Sequence, residues 1–161
     1  MIRKATTGDI DAIIQLGSRL VNSGAFAHTN VSYRACVDRL VTAIRSPNQW
    51  LGVALHEGKV VGFLLLQVVS YWWSTNDRYV LDDGIYCERP LLGRALVREG
   101  LYWASRQRGV CEVMIALNSR IKTERSALAL SRIGFKDRGI VVSIPKSNFP
   151  VAREVQLWAV S

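Results

Sequence analysis

The residues most suited to chemistry stand where a strand is expected to pass into a helix, in the stretch LDDGIYCERPLLGRALV. Pro90 suits the first position of a helix, where its missing N–H costs nothing. The N–H groups of Leu91 and Leu92 would then have no acceptor within the helix, and Gly93 has no side chain to obstruct a ligand. With the helix dipole behind them, these groups could bind a phosphate. An ordinary helix start with one small residue is the alternative interpretation.

Several other chemistries are excluded by missing motifs. The sequence has no Walker A phosphate loop, no dinucleotide-binding glycine fingerprint and no nucleophile elbow of the G-x-S-x-G type. His28 and His56 are the only histidines, and neither lies at ligand spacing from another ligand, so no metal site is predicted. Cys36, Cys87 and Cys111 are scattered along the chain, which predicts a reducing, cytoplasmic compartment rather than a disulfide framework.

Length and composition narrow the class of protein. The chain has 161 residues, 49% of them hydrophobic, which predicts a single folded domain over residues 1–161. Its formal net charge of +8 favours anionic partners, such as nucleic acid, an acidic protein or a phosphorylated small molecule. The most apolar stretch, VVGFLLLQVVSYWW, is too short to span a bilayer, so no membrane partner is predicted.

The pattern of apolar residues predicts the order β-α-α-β-β-β-α-β-α-β-β. HEGK is the expected turn of a hairpin, and Gly84 marks an expected irregularity in the strand RYVLDDGIYC. The strand–helix–strand unit of residues 78–117 predicts a parallel pair. KDRGIVVSIP and REVQLWAVS are the last expected strands. The predicted fold class is therefore α/β (α+β), with a mixed, mostly antiparallel sheet of six to seven strands and about four helices.

Five segments, in this order, resemble the GNAT superfamily of N-acetyltransferases over nearly the full length of the chain. They are MIRKATTGDIDAIIQL at the start, EGKVVGFLLLQV in the centre, LDDGIYC before the acyl-CoA loop, GRALV at its end, and SALALSRIGFKDRG near the closing helix. The chain also departs from the family pattern. Leu91 replaces the middle glycine of the loop, and the tyrosine that often protonates the leaving thiolate falls at Leu130.

The resemblance implies acetyl transfer from acetyl-CoA to a primary amine, which attacks the thioester directly. The amine must be neutral to react, and a carboxylate could remove its proton. Asp82 and Asp83 are the candidates, and Asp83 is favoured because it is nearer the irregularity at Gly84. Solvated acids at a strand end are the alternative interpretation. Tyr86 could order a water molecule or act as an acid, although a tyrosine on a strand is more often a packing residue.

The resemblance also implies which residues contact the cofactor, with its pyrophosphate against the N–H groups around Leu91 to Ala95. The expected cofactor-binding residues are Tyr86, Cys87, Arg89, Leu91, Leu92, Gly93, Arg94, Ala95, Asn118, Arg120 and Thr123. Arg98, Lys122 and Arg125 could add further contacts to phosphate, although a solvated basic face is favoured for Arg98. Trp72 and Trp73 could form a wall of the acceptor pocket, or cap the core.

A second hypothesis belongs to another class of protein. The charge of +8 and the glycine-poor loop are compatible with a catalytically weak or inactive module that keeps the fold and binds nucleic acid or an acidic protein. A third possibility combines the two hypotheses: an active enzyme whose acceptor amine is on an acidic macromolecule. The apolar segment VQLWAV could pair across a homodimer.

Overall fold

The structure is a computed structural model that describes residues 1–23, 26–117, 123–137 and 139. Within these residues a five-stranded sheet is combined with four α-helices and one short 3-10 helix. The elements in chain order are β1 (Ile2–Lys4), the 3-10 helix (Thr7–Asp9), α1 (Ile10–Ser23), α2 (Tyr33–Arg45), β2 (Gln49–His56), β3 (Lys59–Ser70), β4 (Arg78–Cys87), α3 (Pro90–Ser105), β5 (Val110–Met114) and α4 (Thr123–Ser131).

The strands lie side by side in chain order, and only the last pair is parallel. Glu57 and Gly58 form the two-residue turn between β2 and β3, and both have positive φ angles, of 50° and 75°. A two-residue hairpin with left-handed backbone at both positions matches the twist of the strands it joins. The hairpin and the parallel β4–β5 pair predicted from the sequence are both confirmed.

The two faces of the sheet are covered by different helices. Leu51, Val53 and Phe63 point to the face packed by α1 and α2. Their neighbours along the strands, Trp50 and Leu64, point to the face packed by α3. This alternation follows from the two-residue period of a strand, and it explains why β2 and β3 are almost continuously apolar.

A β-bulge in β4 reverses that alternation. Leu66 pairs with Asp82 but Leu65 pairs with Gly84, so Asp83 is the extra residue. Before the bulge Val80 packs on the α3 face, whereas after it Ile85 does so. The irregularity expected at Gly84 is thus confirmed, and it directs Asp82 and Asp83 to different surroundings.

The predicted fold class is confirmed as a mixed α+β fold with four helices. The described part of the chain contains five strands, fewer than the six to seven predicted. The two missing strands were expected in residues 136–145 and 153–161, which lie almost wholly outside the described residues. In the described part, no helix has the length and apolar character needed to cross a bilayer.

Asp9 fixes the junction between β1 and α1. The residue is 7% exposed, and its carboxylate accepts hydrogen bonds from the Arg3 guanidinium at 2.7 and 2.8 Å. It also accepts from the N–H of Thr6 at 2.8 Å and from the hydroxyl of Thr6 at 2.9 Å. The bonds from Arg3, and then those from Thr6, hold the pKa of the Asp9 carboxyl well below its usual range.

We expect Asp9→Asn to lower the free energy of unfolding at pH 7 by about 1.5–3 kcal/mol, since it removes hydrogen bonds to a charged group. Because the folded-state pKa of Asp9 is depressed, its contribution is present above the unfolded pKa of about 3.9 and is lost as the pH falls further. Urea unfolding of both proteins at pH 7 and pH 3 measures this. If wild type and Asp9→Asn differed in free energy of unfolding by the same amount at both pH values, the ionised Asp9 carboxylate would not be the source of the difference.

Candidate active site

A cleft opens where β4 and β5 separate. The last registered pair of these strands is Leu81 with Met114, yet β4 continues to Cys87. The cleft has a volume of about 940 Å³. It is lined by residues 82–88 and 115–117, by Pro90, Leu91, Gly93, Arg94 and Val97 of α3, by Arg125, Ser126, Leu128, Ala129, Leu130, Arg132 and Ile133 in and after α4, and by Leu20, Val21 and Phe26.

The start of α3 forms one end of the cleft. Pro90 occupies the first helical position and Arg89 is the N-cap residue, without a capping side-chain bond. The N–H of Gly93 already donates to the Arg89 carbonyl at 2.9 Å. Only the N–H groups of Leu91 and Leu92 are therefore left without an acceptor by helix geometry. The sequence predicts the pyrophosphate against the N–H groups from Leu91 to Ala95. This range is too wide, because the N–H groups from Gly93 onward donate within the helix.

Gly93 has a structural role as well as its position in the cleft. A Cβ placed on Gly93 would lie 3.3 Å from the Cβ of Cys87, closer than side chains normally pack. The missing side chain thus lets α3 begin against the end of β4. A bulky residue at position 93 would disturb this contact whether or not a ligand binds there.

Asp82 lies at the point where the two strands part. Its Oδ1 accepts a hydrogen bond of 2.7 Å from the N–H of Ala116, just beyond β5. Burial of the carboxylate raises the pKa of Asp82 to about 6, and the bond from Ala116 opposes that shift. A carboxylate with such a pKa is ionised at pH 7 and is still a better proton acceptor than an exposed aspartate.

Asp83, the favoured residue from the sequence, has a different environment. Its carboxylate forms an ion pair with Arg39 of α2, at 2.7 Å from Nη2 and 2.9 Å from Nε. Arg39 also donates to the side chain of Gln49. Oδ2 of Asp83 is thus engaged in an ion pair with a cation, whereas Asp82 accepts from a backbone N–H. No local pattern of residues indicates this partner, because Arg39 lies 44 positions away.

Three arginines line the cleft, together with the acids Asp82, Asp83 and Glu88. Arg94 lies in the second turn of α3, and Arg125 and Arg132 line the cleft from the α4 side. Arg132 was not among the predicted residues, although Arg125, Ala129 and Arg132 follow the i, i+4, i+7 spacing of one helix face. Glu88 at the same end forms an ion pair of 2.6 Å with Arg19.

Some of the remaining predicted residues line the cleft and others do not. Tyr86, Cys87, Leu91, Gly93 and Arg94 line the cleft, whereas Arg89, Leu92 and Ala95 do not. Tyr86 also packs against the α1–α2 face, which agrees with the packing interpretation, and Cys87 donates from Sγ to the Arg89 carbonyl at 3.2 Å. Asn118, Arg120 and Lys122 lie outside the described residues, and Thr123 is the first residue of α4.

Trp72 and Trp73 do not line the cleft. They lie in the loop between β3 and β4, before the start of β4, and are 89% and 66% exposed. Since the cleft is formed by the opposite half of β4, these side chains are not positioned to wall an acceptor pocket there.

Comparisons with solved structures place this architecture in a known class. Glucosamine-6-phosphate N-acetyltransferase from Arabidopsis thaliana has a TM-score of 0.70 and 15% identity, over 91% of this chain and 97% of that one. Aminoglycoside 6'-N-acetyltransferase from Acinetobacter haemolyticus has a TM-score of 0.66 and 14% identity over the same shares. A transcriptional regulator from Bacillus halodurans has a TM-score of 0.66 and 18% identity, over 90% and 98%.

These likenesses establish the fold: the chain has the fold of the GNAT N-acetyltransferases. No family model matches the sequence, and no curated protein matches it either. At such identities the reaction and the substrate must be argued from the site itself.

Proposed function

We propose that this protein transfers an acetyl group from acetyl-CoA to a primary amine. The observation that carries the proposal is the cleft between β4 and β5, which has a half-buried carboxylate at the bulge and a helix N-terminus at its far end. The two solved structures named as N-acetyltransferases share the fold that produces this cleft.

The residues present fit the anionic part of acetyl-CoA. Leu91 lines the cleft, and its N–H has no acceptor within the helix in the first turn of α3, where the helix dipole favours a phosphate. Arg94, Arg125 and Arg132 line the same cleft and supply charge for further phosphates. When bound, acetyl-CoA supplies the activated acetyl group.

Among the described residues, β4 has no strand partner beyond Leu81 on its β5 side, and this edge suits the arm that connects those phosphates to the thioester. From Asp82 to Cys87 the strand extends over five steps of about 3.3 Å, or roughly 17 Å. Backbone groups on this edge can bond an extended amide chain in the way that they bond a neighbouring strand. This would direct the thioester toward Asp82.

Asp82 is the proposed general base. An alkyl amine with a pKa near 10.4 is almost entirely protonated at pH 7, so it must lose a proton before its lone pair can attack. The carboxylate of Asp82 accepts that proton, directly or through water, while its bond to Ala116 fixes its orientation. The thiol produced has a pKa of about 8.5, which lets it leave as a thiolate without a strong acid.

The acceptor is proposed as a small molecule or protein that bears a primary amine. Two of the structurally similar enzymes are named for amine-bearing sugars, glucosamine 6-phosphate and aminoglycosides. This makes amino sugars a suitable first group of acceptors to test.

The experiment is a measurement of thiol release from acetyl-CoA with amino sugars, polyamines and lysine peptides as acceptors. We expect release that depends on one group of amines, with the acetylated amine identified by mass spectrometry. Absence of acetyl-CoA binding, together with salt-sensitive binding of nucleic acid, would instead support the inactive module. Asp82→Asn is the control, because it measures the thiol release that occurs without catalysis by the proposed site.

A further inference from the structure

A second surface, at the opposite end of β4 from the phosphate end of the cleft, combines exposed aromatic rings with arginines. We define the aromatic patch as Tyr71, Trp72 and Trp73 of the β3–β4 loop together with Tyr102, Arg106 and Arg108 from the end of α3 and the turn after it. Trp72, Trp73 and Tyr102 are 89%, 66% and 63% exposed. None of these residues lines the cleft.

The two loops of the patch are held against each other. The N–H of Arg78 donates to the Gly109 carbonyl at 2.8 Å, and its guanidinium donates to the Arg108 carbonyl. Gly109 leaves no room for a side chain, because a Cβ there would lie 2.4 Å from the carbonyl oxygen of Asn76. These contacts join the β3–β4 loop and the turn after α3 into one continuous surface.

The aromatic rings are held in position while one of them stays open to solvent. Tyr71 lies 4.8 Å from Trp73 and 4.7 Å from Tyr79, measured between ring centroids. The Tyr71 hydroxyl donates to Glu112. Trp72 lies 5.4 Å from Trp73 with the two rings nearly perpendicular, and it is still 89% exposed. Such an open ring can stack on a planar ligand.

The charge and composition of the patch indicate the partner. Arg106 lies over the Tyr102 ring, 5.7 Å from its centroid, and Arg108 is exposed. The exposed large aliphatic side chains of the described residues are Met1, Val31, Leu91 and Leu128, and none of them belongs to the patch. The net charge of +8 and the two arginines favour an anionic partner, and a strand of nucleotides carries both phosphates and planar bases that can stack on the rings.

We propose that the aromatic patch binds a single-stranded polynucleotide. Bases stack on Trp72 and Trp73, and phosphates bind Arg106 and Arg108, which is the combination that sequence-tolerant single-strand binders use. Three acids adjoin the patch: the carboxylates of Asp77 and Glu112 bond Ser74 and Tyr71 respectively, and Glu99 lies one helical turn before Tyr102 on α3. Stacking on a base and contact with a phosphate do not involve the 2′-hydroxyl, so RNA and DNA strands should bind alike. The proposal is independent of acetyl transfer.

Fluorescence anisotropy with labelled twelve-residue strands of uridine and deoxythymidine tests the proposal. We expect Trp72→Ala to weaken binding by about 5- to 150-fold, the range for loss of one stacked base. With two phosphates bound, affinity should fall about sevenfold between 50 and 200 mM salt, and Arg106→Gln with Arg108→Gln should remove most of that dependence.

Tyr33→Ala is the matched control, since Tyr33 is 60% exposed and lies outside both the patch and the cleft lining. It should bind the strands like the wild type. Unchanged affinity in Trp72→Ala, equally tight binding of a duplex, or displacement of the strand by acetyl-CoA would each overturn the proposal. The proposal would also be overturned if the wild-type protein bound no strand but self-associated, and Trp72→Ala abolished that self-association. Because Trp72 is almost fully exposed, this variant should keep the wild-type melting temperature.

Discussion

Replacing Asp82 by asparagine is expected to lower the turnover rate of acetyl transfer by about 10²–10⁴-fold at pH 7, the usual contribution of a positioned general base. The change keeps the size of the side chain and removes only its ability to accept the proton. Affinity for acetyl-CoA should hardly change. Steady-state kinetics with the best acceptor amine measures both quantities.

The pH dependence distinguishes this role from a structural one. The pKa of Asp82 is raised to about 6, so wild-type turnover should fall as the pH drops through 6 and the carboxylate becomes protonated. The defect of Asp82→Asn should shrink at high pH, where free amine is abundant. Asp83→Asn is the matched neighbour, and we expect its loss to be smaller than tenfold. A larger loss in Asp83→Asn than in Asp82→Asn would identify the other carboxylate as the base.

Stability provides a further check that Asp82→Asn acts on chemistry. Since burial raises the folded-state pKa of Asp82 above its ordinary value of 3.8, the unfolded chain loses this proton first. This carboxylate therefore lowers the free energy of unfolding as the pH rises from about 4 to 6. The asparagine variant lacks this penalty, so it should be at least as stable as the wild type at pH 7.5.

Replacing Leu91 by proline is expected to weaken acetyl-CoA binding by about 10- to 100-fold, because it removes one N–H donor to a charged phosphate. Proline is tolerated in the first turn of a helix, where no intrahelical bond is lost. Leu91 is 71% exposed, so loss of its side chain should cost little stability. Isothermal titration with acetyl-CoA gives the affinity.

Leu91→Ala is the matched control for that experiment. It shortens the side chain in the same way but keeps the N–H, so the difference between the two variants isolates the backbone donor. Circular dichroism and melting temperature verify that α3 still forms. Equal affinities for acetyl-CoA in the proline and alanine variants would place the phosphates elsewhere in the cleft.

Local signals in the sequence were enough to predict much of the fold. Glu57 and Gly58 fixed the hairpin, Pro90 fixed the start of α3, and Gly84 marked the bulge. Each of these features depends on the backbone conformation near one residue, and the type of that residue indicates the conformation directly. The pattern of apolar residues then predicted the order of helices and strands along the chain.

The site was less predictable because it depends on contacts between distant elements. The choice between Asp82 and Asp83 turned on Ala116 and Arg39, which approach β4 from opposite sides of the bulge. Neither contact leaves a local pattern. Three adjacent aromatic residues, Tyr71 to Trp73, suggested a pocket wall, but the position of that loop relative to the cleft follows only from the sheet.

The most direct test of the central claim is isothermal titration of the wild-type protein with acetyl-CoA at moderate salt. The account predicts saturable binding with one molecule per chain, competed by CoA and weakened in Leu91→Pro relative to Leu91→Ala. Absence of binding at millimolar acetyl-CoA by a folded protein would contradict it.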